Sequence, residues 1–193
     1  MLVGAVRRAK AQNQPNVSFV AADMTALPFG DATFDAVTCR FGLMFVPDVV
    51  LALGQIRRLL RSGCRAAFLV WGPMADNTLS AAIMAALDEI IGPAAGDLER
   101  LPFRLAAPGM LAGLLQKAGF SQSEEIPLHS KRAVPAGGSF WGPTMEKCLG
   151  EDWSRDELRR AAIDAAIEKY LAPARFEEAY ELKNHVRIGV GTA

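Results

Sequence analysis

Two short apolar runs joined by one amphipathic stretch constrain this chain more than anything else in it. "FDAVTCRF", residues 34–41, is bounded by "GDAT" and "GL", and "CRAAFLVWGP", residues 64–73, opens after Ser62-Gly63 and stops at Gly72-Pro73. Short continuous apolar runs suit strands buried on both faces, as in parallel sheets. Between them, "PDVVLALGQIRRLLRSG" sets Leu53, Ile56, Leu59 and Leu60 at helical spacing, with Arg57, Arg58 and Arg61 on the polar side and in the last turn. Gly63 stands where such a helix is expected to end. This is a strand–helix–strand unit, and it puts the chain in the α/β class. A β-branched run just upstream, "VSFVAAD", reads as a further strand closing at Asp23. The N-terminal "MLVGAVRRAKAQ" reads as helix, with Leu2, Val6 and Ala9 on one side.

The second half changes character. "DNTLSAAIMAALDEIIGP" offers Asn77 as a cap, then Leu79, Ile83, Leu87 and Ile90 on one face. "APGMLAGLLQKAGF" is a short helix closing at Gly119. "SQSEEIPLHSKRAV" resembles an edge strand interrupted by Pro127. "SRDELRRAAIDAAIEKYL" opens with Ser154-x-x-Glu157, the spacing of a capping box, and carries Leu158, Ala162, Ile163, Ala166, Ile167, Tyr170 and Leu171 on its apolar face. "HVRIGVGTA" reads as a terminal strand. With no repeat and no linker, residues 1–193 are expected to form a single domain, with helical insertions at 74–104 and 136–172.

Charge and cysteine usage narrow the function classes. The 21 basic and 21 acidic residues cancel, and no basic stripe exists to grip nucleic acid. No apolar stretch approaches the ~20 residues of a membrane span, and the first residues lack the apolar core of a signal peptide. Cys39, Cys64 and Cys148 are far apart and odd in number. That argues against a zinc site or a disulfide framework and for buried thiols in a reducing cytoplasm.

The ordered string "FVAADMTALPFGDATFDAVTCRFGLMFVPD" followed by "QIRRLLRSGCRAAFLVWGP" resembles the class I S-adenosylmethionine-dependent methyltransferases, in the ubiquinone/menaquinone-biosynthesis-like branch. "LAAPGMLAGLLQKAGF" and "HVRIGVGTA" look like that family's late helix and last strand. The resemblance implies a Rossmann-like sheet in the order 3-2-1-4-5-7-6 with the seventh strand antiparallel. It also implies S-adenosyl-L-methionine as cofactor and an apolar or aromatic small molecule as methyl acceptor. Relatives begin with a strand, a glycine-rich loop and a second strand ending in an acid, and only then a helix like "MLVGAVRRAK". No GxGxG occurs here. The expectation is therefore an incomplete sheet lacking its first two strands, with Met1 an internal methionine of a longer ancestor. The "VSFVAA" strand then either pairs directly with "FDAVTC" or hangs loose at an edge. A competing reading is a cofactor-free remnant that serves as a binding or regulatory partner.

The resemblance also assigns residues. Asp23, at the carboxyl end of its run, is placed to accept a hydrogen bond from the exocyclic amine of adenine; otherwise it is a turn-forming Asp. Met24 packs on the adenine face or belongs to the core. At Arg40, where relatives often have Ser, the main chain approaches the cofactor, and Phe41 and Gly42 complete that segment. Met44 and Phe45 stand where many small-molecule methyltransferases have a His, so no general base is visible there. His129 and His185 read as surface or satisfied imidazoles. Trp71, Phe140, Trp141, Met145 and Trp153 either roof an apolar pocket or sit in the core. Little is required of side chains, because holding donor and nucleophile in line can supply ~7–11 kcal/mol of barrier lowering.

Overall fold

The computed structural model describes residues 2–93, 100–150 and 152–193. Its strands are β1 (Phe34–Arg40), β2 (Leu60–Trp71), β3 (Gln122–Pro135), β4 (Arg175–Phe176) and β5 (Ala179–Thr192). They form one sheet in the order β1-β2-β5-β3, with β4 folded back on β5. β1 and β2 run parallel, and β5 is antiparallel to both β2 and β3. This is the 4-5-7-6 half of the order that the resemblance implies.

Helix α1 (Leu2–Ala11) precedes the sheet, and helix α2 (Val49–Leu59) makes the crossover between the parallel strands. Asp48 starts it, its carboxylate accepting the Leu51 N–H at 2.9 Å. Leu53, Ile56 and Leu59 are buried, as their spacing predicts. The helix stops at Leu59, sooner than Gly63 suggests. Gly63 (φ +77°) lies instead in a bulge, where pairing steps from Phe34↔Leu60 to Ala36↔Arg65. Helix α4 (Met110–Lys117) packs beside α2 on the same sheet face. It reaches β5 closely because Gly189 and Gly191 lie beneath it: a Cβ on either would stand 2.5 or 2.6 Å from Leu111 or Phe120. Phe68, Val70, Leu111, Leu115 and Phe120 are the centre of this first core.

A second core gathers beyond the end of β2. It joins α3 (Thr78–Ile90), α5 (Gly142–Leu149), α6 (Asp152–Arg155) and α7 (Glu157–Leu171) to Tyr180 and Leu182 of β5. Trp141, Met145 and Trp153 are buried here with Phe140 against them, so these aromatics are core and not the roof of a pocket.

Several expectations fail for identifiable reasons. Residues 17–23 form no strand and are exposed; among the described residues no neighbouring strand offers them hydrogen bonds. β1 is consequently an edge. The strands are not buried on both faces: Leu69, Trp71, Val186, Ile188 and Val190 share a half-exposed face with Ile126 and Leu128, which β5 pairing aligns beside them. Pro127 does not interrupt β3, whose register runs through Pro127↔Arg187. On an edge strand, N–H groups pointing away from the sheet have no ladder bond to lose. Asp156, not Ser154, caps α7, accepting the Arg159 N–H at 2.9 Å. Leu158 is 86 % exposed and Tyr170 half-exposed, so the buried face of α7 is narrower than predicted. The thiols of Cys39, Cys64 and Cys148 are half-buried, and no disulfide joins them. Part of the predicted 74–104 insertion, residues 94–99, lies outside the described residues. Among the described residues no helix is long and apolar enough to cross a membrane.

Candidate functional site

The carboxyl ends of β1 and β2 lie side by side, where open α/β sheets receive ligands. Phe41, immediately after β1, has φ +52°, a left-handed conformation that bulky residues rarely adopt. Its N–H still donates to the Leu69 carbonyl at 2.9 Å, so the turn begins within the ladder. This conformation lays the ring on Trp71 at the end of β2, centroids 4.6 Å apart and nearly parallel. Phe103 extends the cluster, 5.9 Å from Trp71, and the Arg40 guanidinium lies 5.7 Å from the centre of the Phe41 ring. Gly42 has an ordinary φ of −109°, so what constrains it is contact rather than the turn: a Cβ there would stand 3.0 Å from the Cys39 sulfur.

Asp23 stands apart from this cluster in the sequence and is exposed. Its Oδ1 accepts both the Thr25 N–H (2.8 Å) and the Thr25 hydroxyl (2.7 Å). The main-chain bond first, and then the hydroxyl, hold its carboxyl below the usual value. The turn reading of Asp23 is therefore realised, and Oδ2 is left without a partner among the described residues. Met24, partly buried, packs against the first core. Arg58 fixes the turn that follows. It donates to the carbonyls of Leu27 (3.2 Å) and Phe29 (2.9 Å) and to Asp31, tying residues 27–31 to α2. The structure thus brings Arg40, Phe41, Gly42 and Trp71 together and roots the Asp23–Met24 turn against the same core. Met44 is buried and Phe45 exposed, and neither supplies a base.

Two polar clusters escaped the sequence reading. His185 is buried, with Nδ1 2.9 Å from Asp76 and its ring 4.0 Å from that of exposed His129. Asn77 holds the strand beneath it: its Oδ1 accepts the His185 N–H at 3.0 Å and its Nδ2 donates to the Pro73 carbonyl at 2.9 Å. Asn77 therefore braces β5 and makes no side-chain cap on α3. The His185 Nε2 has no partner among the described residues. On the same sheet face, Glu125 pairs with Arg187 at 2.6 Å and accepts the N–H groups of Gly109 and Leu111 at the start of α4. Burial pushes the Glu125 carboxyl up, but the Gly109 N–H, Arg187 and the Ala112 N–H outweigh it and hold the group below its ordinary value. Neither pairing has a local sequence signal, since the partners are 109 and 62 positions apart.

A family profile described as a methyltransferase domain matches residues 2–68. The chain is 31 % identical over 131 residues to a ubiquinone/menaquinone biosynthesis C-methyltransferase of Methylobacterium nodulans, covering 63 % of this chain and 52 % of that one. It is 32 % identical over 147 residues to a demethylmenaquinone methyltransferase of Thermus thermophilus, covering 71 % and 66 %. Among solved structures, the YcgJ protein of Bacillus subtilis superposes with a TM-score of 0.58 at 16 % identity, covering 98 % of this chain and 77 % of that one, a likeness of fold. The chain belongs to the class I S-adenosylmethionine-dependent methyltransferases, in the quinone-biosynthesis-like branch. It spans about half the length of the first curated relatives it matches.

S-adenosylmethionine is the cofactor of this family. The Asp23 oxygen without a partner is a hydrogen-bond acceptor and the stacked Phe41 and Trp71 rings are an apolar surface, the kinds of group an adenine ring uses. Among the described residues no glycine-rich turn stands at the carboxyl ends of the strands to meet the methionine part.

Proposed function

We propose that this chain carries the adenine side of a methyltransferase site acting on an apolar or aromatic small molecule. The observation that carries the reading is Phe41, held at positive φ so that its ring lies on Trp71 at the strand ends. Backbone strain of this kind costs about 1–3 kcal/mol and persists where the surroundings, often a ligand site, require it. Asp23 Oδ2 would accept from the adenine amine, Met24 would pack on the ring, and the main chain at Arg40–Gly42 would line its edge. The cofactor, when bound, supplies a sulfonium methyl group. The protein's part is to orient the acceptor and keep water away, which the Phe41, Trp71 and Phe103 rings suit. With no imidazole at Met44 or Phe45, an acceptor that must lose a proton to a base at that position is disfavoured. Residues 74–104 and 136–172 are read as a helical cap on the acceptor side. The setting is cytoplasmic, and the substrate is a small molecule rather than a nucleic acid.

Equilibrium dialysis with labelled S-adenosylmethionine tests this. Because the described residues supply only the adenine contacts, binding is expected to be weak, about a hundredfold or more below a micromolar site. Asp23→Ala, which removes a charged acceptor, should lower it by a further ~10- to 100-fold. Equal affinity of the two proteins would remove Asp23 from the site.

A second reading, a cofactor-free remnant acting as a binding or regulatory partner, has one observation in its favour. The sheet face bearing Leu69, Ile188, Ile126 and Leu128 is half-exposed and apolar, as a covered surface would be.

A further inference from the structure

We propose that the overhanging end of the β3–β5 ribbon forms a binding cleft for a small organic anion with an aromatic body. β3 and β5 stay paired past the end of β2, out to Pro135↔Ala179. This overhang, α7 and the β4 turn enclose a cleft of 620 Å³. Four cations line it: Lys131, Arg132, Arg175 and Lys183, against one acid, Glu181. The whole chain balances 21 bases with 21 acids, so the excess is a local concentration of charge.

The pairing makes that concentration costly in the empty protein. Lys131 and Lys183 stand directly opposite each other across the ribbon, and like charges so placed are destabilising. Glu181 relieves one of them, bridging Lys131 at 3.0 Å. Lys183 has no carboxylate partner among the described residues. An anion between the two strands would resolve the repulsion. Arg175, whose Nε makes only a long 3.5 Å contact to the Glu177 carbonyl, stands beside the cleft for a forked contact to a carboxylate or phosphate, while Arg132, which alternates to the other face of the ribbon, adds long-range charge. The apolar complement is also present. Phe176 is 71 % exposed at the rim, and Tyr170, whose hydroxyl donates to Glu89 at 2.8 Å, offers its ring. Free phosphate would use only half of these groups; an aromatic carboxylate or aryl phosphate would use both.

The cleft adjoins the edge described above. Ala75 and Thr78, which follow β2, line it, and Thr78 Oγ1 accepts the Lys183 N–H at 3.1 Å. Lys183 lies three positions along β5 from Val186, the partner of Trp71, about 10 Å at strand spacing, with its side chain on the opposite face of the strand. That the bound anion is the methyl acceptor rests on the methyl-transfer reading; the cleft itself does not.

Isothermal titration of the full chain, without S-adenosylmethionine, with phenyl phosphate and with benzoate tests the site. Inorganic phosphate and benzyl alcohol serve as the half-matched controls. Saturable binding of the aryl anions is expected, at least about tenfold tighter than either control and weakened by added salt. Lys131→Gln/Lys183→Gln should lower it by about tenfold or more, with an unchanged circular dichroism spectrum. Phe176→Ser should leave phosphate binding alone and remove the preference for the aryl compounds. No saturable binding, equal binding of either control, or unchanged binding by the folded double variant each overturns the proposal. Cofactor dialysis is a separate measurement, so failure of one reading is distinguishable from failure of the other.

Discussion

Phe41 concentrates backbone strain in one dihedral angle. A φ of +52° is easy for glycine and unfavourable for a β-branched residue. Phe41→Gly should therefore unfold at higher denaturant than Phe41→Val, by about 1–3 kcal/mol in equilibrium urea titration, and both should lose the contact with Trp71. The reverse order would mean that the turn is not strained. Gly72 is constrained differently. An added Cβ would stand 2.6 Å from the ring of His185, whose carbonyl accepts the Gly72 N–H at 2.9 Å. Gly72→Ala should cost ~1–3 kcal/mol as an overpacked site, read as a lower melting temperature. For Asp23 the sequence offered two readings, an adenine acceptor by resemblance or a turn-forming Asp, and the Thr25 contacts show the turn. The conformation of Phe41 was not legible, because it is imposed by Leu69 and Trp71, about thirty positions away.

At the scale of elements, α2 was legible in its apolar stripe and its basic last turn, while its Asp48 cap and its end at Leu59 came only with the structure. The "VSFVAA" run shows the limit: β propensity makes a strand only beside a partner, and none is there. Helix α4 is tied to β3 and β5 by a group no pattern reveals. Glu125 is nearly buried, pairs with Arg187 and takes up the N–H groups at the helix start. Removing it leaves a buried guanidinium without its carboxylate, which typically costs ~3–5 kcal/mol. Glu125→Ala should lower stability by about that much at neutral pH in chemical denaturation. The pH dependence has a definite sign. The folded state holds this carboxyl below its ordinary 4.5, so its contribution is complete above that pH and is lost as pH falls through the lower, folded value. The gap between wild type and Glu125→Ala should therefore close only in acid. A gap that stays constant down to the acid transition would show that the pair does not titrate as described.

The described sheet keeps the 4-5-7-6 part of the order that the family resemblance implies, and that part of the topology was legible, whereas the strand expected at residues 17–23 is not formed. What the sequence concealed is asymmetry between the two sides of the sheet. Apolar runs of β2 and β5 look alike whether one face is covered or both, and only the placement of α2 and α4 shows that they cover one.

That uncovered side bears on how the protein behaves in a tube. Colloidal stability needs either few sticky surfaces or enough like charge to keep copies apart, and this chain has a formal charge of zero with an isoelectric point near 6.7. Neutral buffer is thus the condition in which two uncovered sheets meet with least resistance. Sedimentation velocity at pH 7 should show association that grows with concentration and lessens at pH 8.5, where net negative charge develops. Ile188→Lys, at the middle of the face, should shift the protein towards monomer and raise its solubility limit. Indifference to both changes would mean that this side of the sheet is not where copies adhere.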